Sequence, residues 1–112
     1  MNTINMTTFE ELKRISGEDI IDELIQAFLD EAPIMVGQLK SAFGSGDVDV
    51  FRRNAHTLKS NAATFGAEEL AALAKDLEHL AREKSLAEVG EKLDNLVTLC
   101  ATVQAELKGM MK

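Results

Sequence analysis

The residues of this chain that are best suited to chemistry surround one histidine. Arg52 and Arg53 precede His56 by four and three residues, and Lys59 and Ser60 follow it by three and four. In a helix these spacings place all four side chains within reach of the imidazole, on adjacent turns. A neutral imidazole is nucleophilic near neutral pH, because its unperturbed pKa is about 6.5. Lys59 and Arg52 would stabilise the negative charge of a phosphorylated ring, so the pattern favours phosphoryl transfer through His56.

The same residues also have a plainer interpretation. A single histidine beside an apolar helical stripe is more often an ordinary surface residue, and periodicity alone does not separate the two interpretations. Phosphoryl transfer needs in-line positioning and a metal ion. The two histidines and one cysteine of this chain do not have the spacing of metal ligands, so we predict no metal site. The sequence also contains no glycine-rich nucleotide loop. We therefore expect no cofactor and no autonomous kinase activity, with the metal supplied by a partner.

Composition excludes several classes of protein. The 112 residues include 19 acidic and 12 basic side chains, a net charge of −7, whereas nucleic-acid binding requires a basic face. No apolar run approaches the ~20 residues that span a membrane, and the N-terminus lacks the features of a signal peptide. The one cysteine, Cys100, allows no intramolecular disulfide, which fits a reduced, cytoplasmic setting. We expect a single domain over residues 1–112, with no nucleic-acid or membrane partner.

Apolar residues recur in steps of three and four along most of the chain and predict five helical segments. Four segments span about residues 8–15, 18–43, 47–64 and 67–83, and the fifth carries its apolar residues from Leu86 to Leu107. Pro33 interrupts the second segment, which is either one kinked helix or two helices meeting at Ala32-Pro33. These segments predict an all-α fold, an antiparallel up-and-down four-helix bundle with a short extra N-terminal helix.

Polar residues and glycines mark the predicted helix ends. Asp47 is a good N-cap for the third segment, and Gly66 is placed to end it. Gly44-Ser45-Gly46 is the predicted loop before Asp47. Two pairs have the spacing of a capping box, Thr8 with Glu11 and Ser85 with Glu88.

Several separated motifs agree in order and spacing with one known family. Ala55-His56-Thr57-Leu58-Lys59 is followed by Phe65-Gly66-Ala67, Leu70-Ala71-Ala72-Leu73 and Leu77-Glu78, and is preceded by Phe28-Leu29-Asp30-Glu31-Ala32-Pro33 and Gly46-Asp47. From about residue 19 to residue 78 the chain resembles the histidine-containing phosphotransfer (HPt) domain family. The resemblance implies a helical bundle that passes a phosphoryl group between aspartates of response-regulator receiver domains.

The resemblance also implies roles for single residues. By motif, His56 matches the phosphorylated histidine and Lys59 matches the basic residue one turn later. Glu78 matches a position that orients the imidazole, although an ordinary helical ion pair between Glu78 and Lys75 explains the same spacing equally well. We treat Glu78, Lys75 and the two arginines as candidate supporting residues.

The chain departs from the family pattern directly after Lys59. The family usually has glycine there, followed by serine or alanine, whereas this chain has Ser60 and Asn61. The side chain of Ser60 lies on the histidine side of the helix. It either narrows the approach of a partner or donates a hydrogen bond to the imidazole or the phosphoryl group.

The resulting prediction is a phosphorelay intermediate that accepts and donates a phosphoryl group on His56. Its expected partners are receiver domains and a hybrid sensor histidine kinase. The chain is expected to be a cytoplasmic monomer, either free-standing or part of a larger hybrid kinase. The alternative is an interaction module that docks or sequesters a receiver domain without transfer. Loss of His56 discriminates the two, because only the relay protein depends on that residue.

Overall fold

The helices form because apolar residues recur at helical spacing and bury one side of each segment. The computed structural model describes residues 3–83, 86 and 89–111. Its helices are α1 (Met6–Ser16), α2 (Glu18–Ser45), α3 (Val48–Thr64), α4 (Glu68–Glu83) and α5 (Gly90–Met110). α2 and α4 each pack against both α3 and α5, while α1 packs against α2 and α3. The predicted antiparallel four-helix bundle with a short additional N-terminal helix is confirmed.

Small residues bring α3 and α4 close together. Half of the buried apolar side chains on these two helices are alanine: Phe51, Ala55, Leu58 and Ala62 on α3, and Leu70, Ala74, Leu77 and Ala81 on α4. Alanine leaves little bulk between two helix axes, so polar side chains at the edge of the contact can reach across it. This close approach positions the groups around His56.

The second predicted segment forms one continuous helix. The loop predicted after it is wrong, because the turn is shorter than Gly44-Ser45-Gly46. Pro33 lies inside α2 and is exposed, while Ala32 and Met35 on either side of it remain buried. Because the core-facing side continues through the proline, packing holds the helix together despite the lost donor. Gly44 and Ser45 belong to α2, and the turn is made by Gly46, whose φ of 76° ends the helix.

Asn5, and not Thr8, begins α1, so the capping box predicted for Thr8 and Glu11 is wrong. The side chain of Asn5 accepts hydrogen bonds from the backbone N–H groups of Thr7 and Thr8. The backbone N–H of Asn5 also donates to the carbonyl oxygen of Gly66 at 2.7 Å. Contact with the α3–α4 turn therefore decides where α1 starts.

The predicted ends of α3 are confirmed. Asp47 accepts a hydrogen bond from the backbone N–H of Val50 and caps the N-terminus. Gly66 follows the C-terminus with φ of +81°, and a Cβ at that position would lie 2.8 Å from the carbonyl oxygen of Asn5. Glycine is thus required there both by its backbone conformation and by the space available.

α4 and α5 each begin later than predicted. α4 starts at Glu68 and α5 at Gly90, so the buried side chains of Leu86 and Val89 precede the last helix. The predicted capping box of Ser85 and Glu88 lies outside the described residues. No helix in the described part of the chain is long and apolar enough to cross a membrane.

Candidate functional site

His56 lies on α3 directly beside the residues that pack against α4. Its neighbour Ala55 is fully buried, and a step of one residue rotates a side chain by about 100° around the helix. The imidazole consequently points away from the core, and 58% of its side-chain surface is exposed. A partner molecule can therefore reach the ring.

A carboxylate on α4 holds one side of the imidazole. Nδ1 of His56 lies 3.0 Å from Oε2 of Glu78, and Nζ of Lys59 donates to Oε1 of the same carboxylate at 3.2 Å. Only 10% of the Glu78 side-chain surface is exposed, so this contact is largely sheltered from water. The two α3 side chains thus share one buried acceptor on α4.

Glu78 is ionised at neutral pH in spite of its burial. Burial by itself raises the pKa of the carboxyl group, but hydrogen bonds and attraction from Lys59 and His56 outweigh it and hold the pKa below the usual 4.5. An ionised carboxylate accepts hydrogen bonds and donates none. Nδ1 of His56 must therefore carry a proton, and in the neutral ring the lone pair lies on Nε2.

Nε2 has no hydrogen-bond partner among the residues that the structure describes. It belongs to an exposed ring beside an open cleft of about 560 Å³, which is also lined by Arg52, Arg53, Thr57 and other side chains of α3 and α4. Arg52 makes only a long ion pair of 3.9 Å with the exposed Asp49, and its Nε is buried without a partner in the described structure. The arrangement presents a nucleophilic nitrogen next to two cationic side chains.

The structure separates the predicted site residues into two groups. His56, Lys59 and Glu78 form one hydrogen-bonded cluster, and Arg52 and Arg53 line the adjoining cleft. Lys59 is oriented toward Glu78 and is not among the residues lining that cleft.

The structure places the other two candidates apart from this cluster. Ser60 is exposed, and its hydroxyl group bonds neither the imidazole nor any other residue in the described ranges. Lys75 is also exposed, and within those ranges it forms no ion pair with Glu78. The alternative of a Lys75–Glu78 ion pair is thus wrong, because the carboxylate is turned toward α3.

Arg82 also contacts Glu78, although it is not among the site residues predicted from the sequence. Its guanidinium group lies 3.6 Å from Oε2 of Glu78, and half of its side-chain surface is exposed. The available signal was the spacing of four residues between Glu78 and Arg82 on one helix, which favours an ion pair. Within the described residues no three His, Cys, Asp or Glu side chains converge on one point, so the structure provides no ligand set for a metal ion.

The fold resembles solved phosphotransfer domains. Histidine-containing phosphotransfer protein B (HptB) from Pseudomonas aeruginosa PAO1 aligns with 96% of this chain and 93% of its own, with a TM-score of 0.86 and 23% identity. The HPT domain of a sensor hybrid histidine kinase from Shewanella aligns with 96% of this chain and 92% of its own, with a TM-score of 0.83 and 17% identity. At these identities the likeness concerns the fold alone.

Proteins that are similar in sequence show which family the chain belongs to. The phosphorelay protein LuxU of Vibrio harveyi is 33% identical over 101 residues, which is 88% of this chain and 89% of the relative. LuxU of Vibrio cholerae is 27% identical over 96 residues, covering 86% and 85% of the two chains. The family model described as the Hpt domain matches residues 23–109. This chain belongs to the Hpt domain family and is a phosphorelay intermediate of two-component signalling.

Proposed function

We propose that Nε2 of His56 is the atom that accepts and donates the phosphoryl group. The observation that carries this proposal is the 3.0 Å contact between Nδ1 of His56 and the buried Glu78 carboxylate. That contact fixes the tautomer, and it leaves the nucleophilic nitrogen on the exposed side of the ring. A histidine held in this way is ready to react without rotating or losing a proton.

The exchange with a receiver domain then balances without a proton leaving the imidazole. The Nε2 lone pair attacks the phosphorus atom of an aspartyl phosphate, a nitrogen–phosphorus bond forms, and the bond from phosphorus to the aspartate oxygen breaks. The aspartate departs as a carboxylate, while Nδ1 keeps its proton against Glu78. The reverse reaction returns the phosphoryl group, and the receiver domain supplies the metal ion that the transfer needs.

Lys59 and Arg52 have complementary roles in this proposal. Lys59 neutralises Glu78 in the resting state, and its partly exposed ammonium group can turn toward the phosphoryl group once that group is present. Arg52 has a buried Nε without a partner in the described structure and lines the cleft beside His56 together with Arg53. Both therefore contribute positive charge near the phosphoryl group, whereas the exposed Ser60 either narrows the approach of a partner or donates a hydrogen bond to the phosphoryl group.

The proposed partners are receiver domains and a hybrid sensor histidine kinase. Two sequence relatives are phosphorelay proteins, and one structural neighbour is the HPT domain of a hybrid histidine kinase. We propose that this chain is a carrier without kinase activity of its own, because its sequence has no nucleotide-binding loop. The compartment that fits such partners is the cytoplasm.

The test is phosphoryl transfer from a panel of phosphorylated receiver domains to the wild-type chain. One acid-labile, base-stable phosphate per chain is expected, and His56→Gln should abolish the labelling while the far-UV circular dichroism of the bundle is kept. His79→Gln is the matched control, since His79 is an exposed histidine on α4 next to Glu78. Labelling that persists in His56→Gln refutes the assignment, and a wild-type chain that binds a receiver without labelling supports the interaction-module alternative.

A further inference from the structure

Donation of a phosphoryl group from His56 depends on the proton at Nδ1. When the bond between Nε2 and phosphorus breaks, its electron pair returns to the ring, and phosphorus forms a new bond to the aspartate oxygen of the receiver domain. The departing ring is neutral imidazole if Nδ1 still carries its proton. It is the strongly basic imidazolate anion if that proton has been lost, so loss of the proton slows donation.

Phosphorylation makes the Nδ1 proton a labile one. The electron pair of Nε2 is shared with phosphorus, so a phosphorylated ring that keeps its Nδ1 proton is cationic. A cationic imidazole ring in water releases a proton near neutral pH, since the unperturbed value is about 6.5. A phosphorylated histidine therefore needs a neighbour that holds this proton if it is to donate readily at higher pH.

An ionised carboxylate lies where it can hold the proton. Oε2 of Glu78 is 3.0 Å from Nδ1 of His56, and only 10% of the Glu78 side-chain surface is exposed. A carboxylate accepts hydrogen bonds and donates none, so an unprotonated Nδ1 would face its oxygen lone pairs without a hydrogen bond. A cationic ring would instead form an ion pair with Glu78 that water screens only weakly.

Two cations hold Glu78 in its ionised form. Nζ of Lys59 on α3 donates to Oε1 at 3.2 Å, and the guanidinium group of Arg82 on α4 lies 3.6 Å from Oε2. Together with His56 they are the charged or titratable groups that contact this carboxylate in the described part of the chain. Their exposed fractions are 29% and 50%, so both can turn toward a phosphoryl group and leave the carboxylate to the ring.

The remaining charged groups near the ring lie on α3. Asp49, Arg52 and Arg53 line the cleft beside His56. Positive charge favours loss of a ring proton, but the phosphoryl group on Nε2 is anionic and pairs with the two arginines. The group that decides whether Nδ1 keeps its proton is therefore Glu78.

We infer that Glu78 keeps phosphorylated His56 able to donate its phosphoryl group above neutral pH, an inference that rests on the proposed function. An amide at this position would act differently. Glutamine also accepts from a protonated Nδ1, but it can turn its NH2 group to donate to an unprotonated one. The carboxylate favours only the protonated ring, which is the form that donates.

15N NMR of the phosphorylated chain tests this inference without a receiver domain. Phosphoramidate, which releases ammonia on transfer, serves as the protein-free donor for chains labelled with 15N in histidine. Nδ1 should lose its proton about one pH unit higher in the wild type than in Glu78→Gln, because an opposite charge at this distance shifts a titration by at least that much. Glu69→Gln removes an exposed carboxylate from the same helix and should titrate like the wild type. The exposed His79 is the internal reference and should titrate identically in all three proteins.

The pH profile of donation gives a second readout, which a purely structural role would not change. The phosphorylated chains are mixed with the receiver domain that exchanges fastest in the panel above, from about pH 6 to about pH 9. The donation rate should begin to fall about one pH unit lower in Glu78→Gln than in the wild type or Glu69→Gln. A wild type that phosphoramidate does not label contradicts the assignment of His56. Labelled proteins in which wild type and Glu78→Gln have identical NMR titrations, or identical pH profiles, overturn the role of Glu78 in donation.

Discussion

The two histidines of this chain lie on adjacent helices and differ in the side chains that contact their rings. His56 and His79 are both exposed, so access to solvent does not distinguish them. His56 contacts a buried carboxylate on the facing helix, while His79 has no hydrogen-bond partner in the described part of the chain. Glu78 directly precedes His79, but it points into the α3–α4 contact while His79 points away from it.

The comparison shows that the contact made by the ring, and not its exposure, distinguishes His56 from His79. An exposed imidazole without a partner exchanges its two tautomers freely and rotates about its side-chain bonds. Glu78 removes both freedoms from His56 by accepting from Nδ1, and Lys59 keeps that carboxylate charged. Removing these groups should make His56 resemble His79, most completely when the carboxylate itself is lost.

Removing the carboxylate should have the largest effect. Glu78→Ala should slow transfer to His56 about 100-fold, since small losses of positioning have effects of that size on reactions that need alignment. Glu78→Gln keeps an acceptor for Nδ1–H and should retain much of the activity, so it serves as the conservative rescue. Glu69→Ala removes an exposed carboxylate from the same helix and is the matched control.

The tautomer of His56 distinguishes positioning from simple loss of structure. In the wild type the proton on Nδ1 is held by Glu78, whereas in Glu78→Ala the two tautomers compete. The imidazole 15N NMR shifts of the neutral ring should therefore indicate one tautomer in the wild type and a mixture of two in Glu78→Ala. Identical 15N shifts, or equal transfer rates in Glu78→Ala and Glu69→Ala, would contradict a positioning role for Glu78.

Lys59→Ala should have a smaller effect, because the carboxylate remains in place. A partly exposed charge-assisted contact is worth about 1 kcal/mol, which corresponds to roughly fivefold to tenfold in the transfer equilibrium. We expect the equilibrium to shift back toward the receiver domain with little change in melting temperature. Lys75→Ala on α4 is the control, and unchanged forward and reverse rates in Lys59→Ala would exclude a role for its charge.

Glu78 should also make stability depend on pH. Its pKa is lower in the folded chain than the usual 4.5, so ionised Glu78 stabilises the fold above that value. This contribution is lost as the pH falls through the folded-state pKa, because both states are then protonated. In urea unfolding, the stability difference between wild type and Glu78→Gln should be constant near neutral pH and should shrink below about pH 4.5. A difference that stays constant through the acidic range would contradict the lowered pKa.

Contacts within one helix could be predicted from residue spacing, whereas the contact between His56 and Glu78 was indicated only by the family resemblance. The spacing of His56 and Lys59 follows from residue numbers alone, because both lie on α3. The contact between His56 and Glu78 joins residues that are 22 positions apart. It depends on how far α3 and α4 are rotated toward each other, which periodicity within one helix does not determine. The contact between Arg82 and Glu78 belongs to the predictable kind, because the two residues lie four positions apart on α4.

The helix boundaries show the same difference between features that depend on neighbouring residues and features that depend on contacts far along the chain. Asp47 and Gly66 were identified correctly because their roles follow from local backbone geometry. Thr8 was mistaken for an N-cap because contact with Gly66, far along the chain, places the start of α1 at Asn5. At Pro33 the sequence leaves open one kinked helix or two helices, and buried residues on both sides of the proline keep α2 a single helix.

The smallest expected effect concerns Ser60, where the chain departs from the family pattern. Its exposed side chain has no hydrogen bond to the imidazole, so its remaining roles are to narrow the approach of the receiver or to bond the phosphoryl group. Because a narrower approach misaligns an in-line reaction, Ser60→Gly should speed transfer modestly, with Ser60→Ala intermediate. Glycine inside the helix should also lower the free energy of unfolding by about 0.5–1 kcal/mol. Stopped-flow rates for the three proteins decide: graded acceleration supports steric narrowing, two equally slow variants support a hydrogen bond to the phosphoryl group, and three equal rates exclude both.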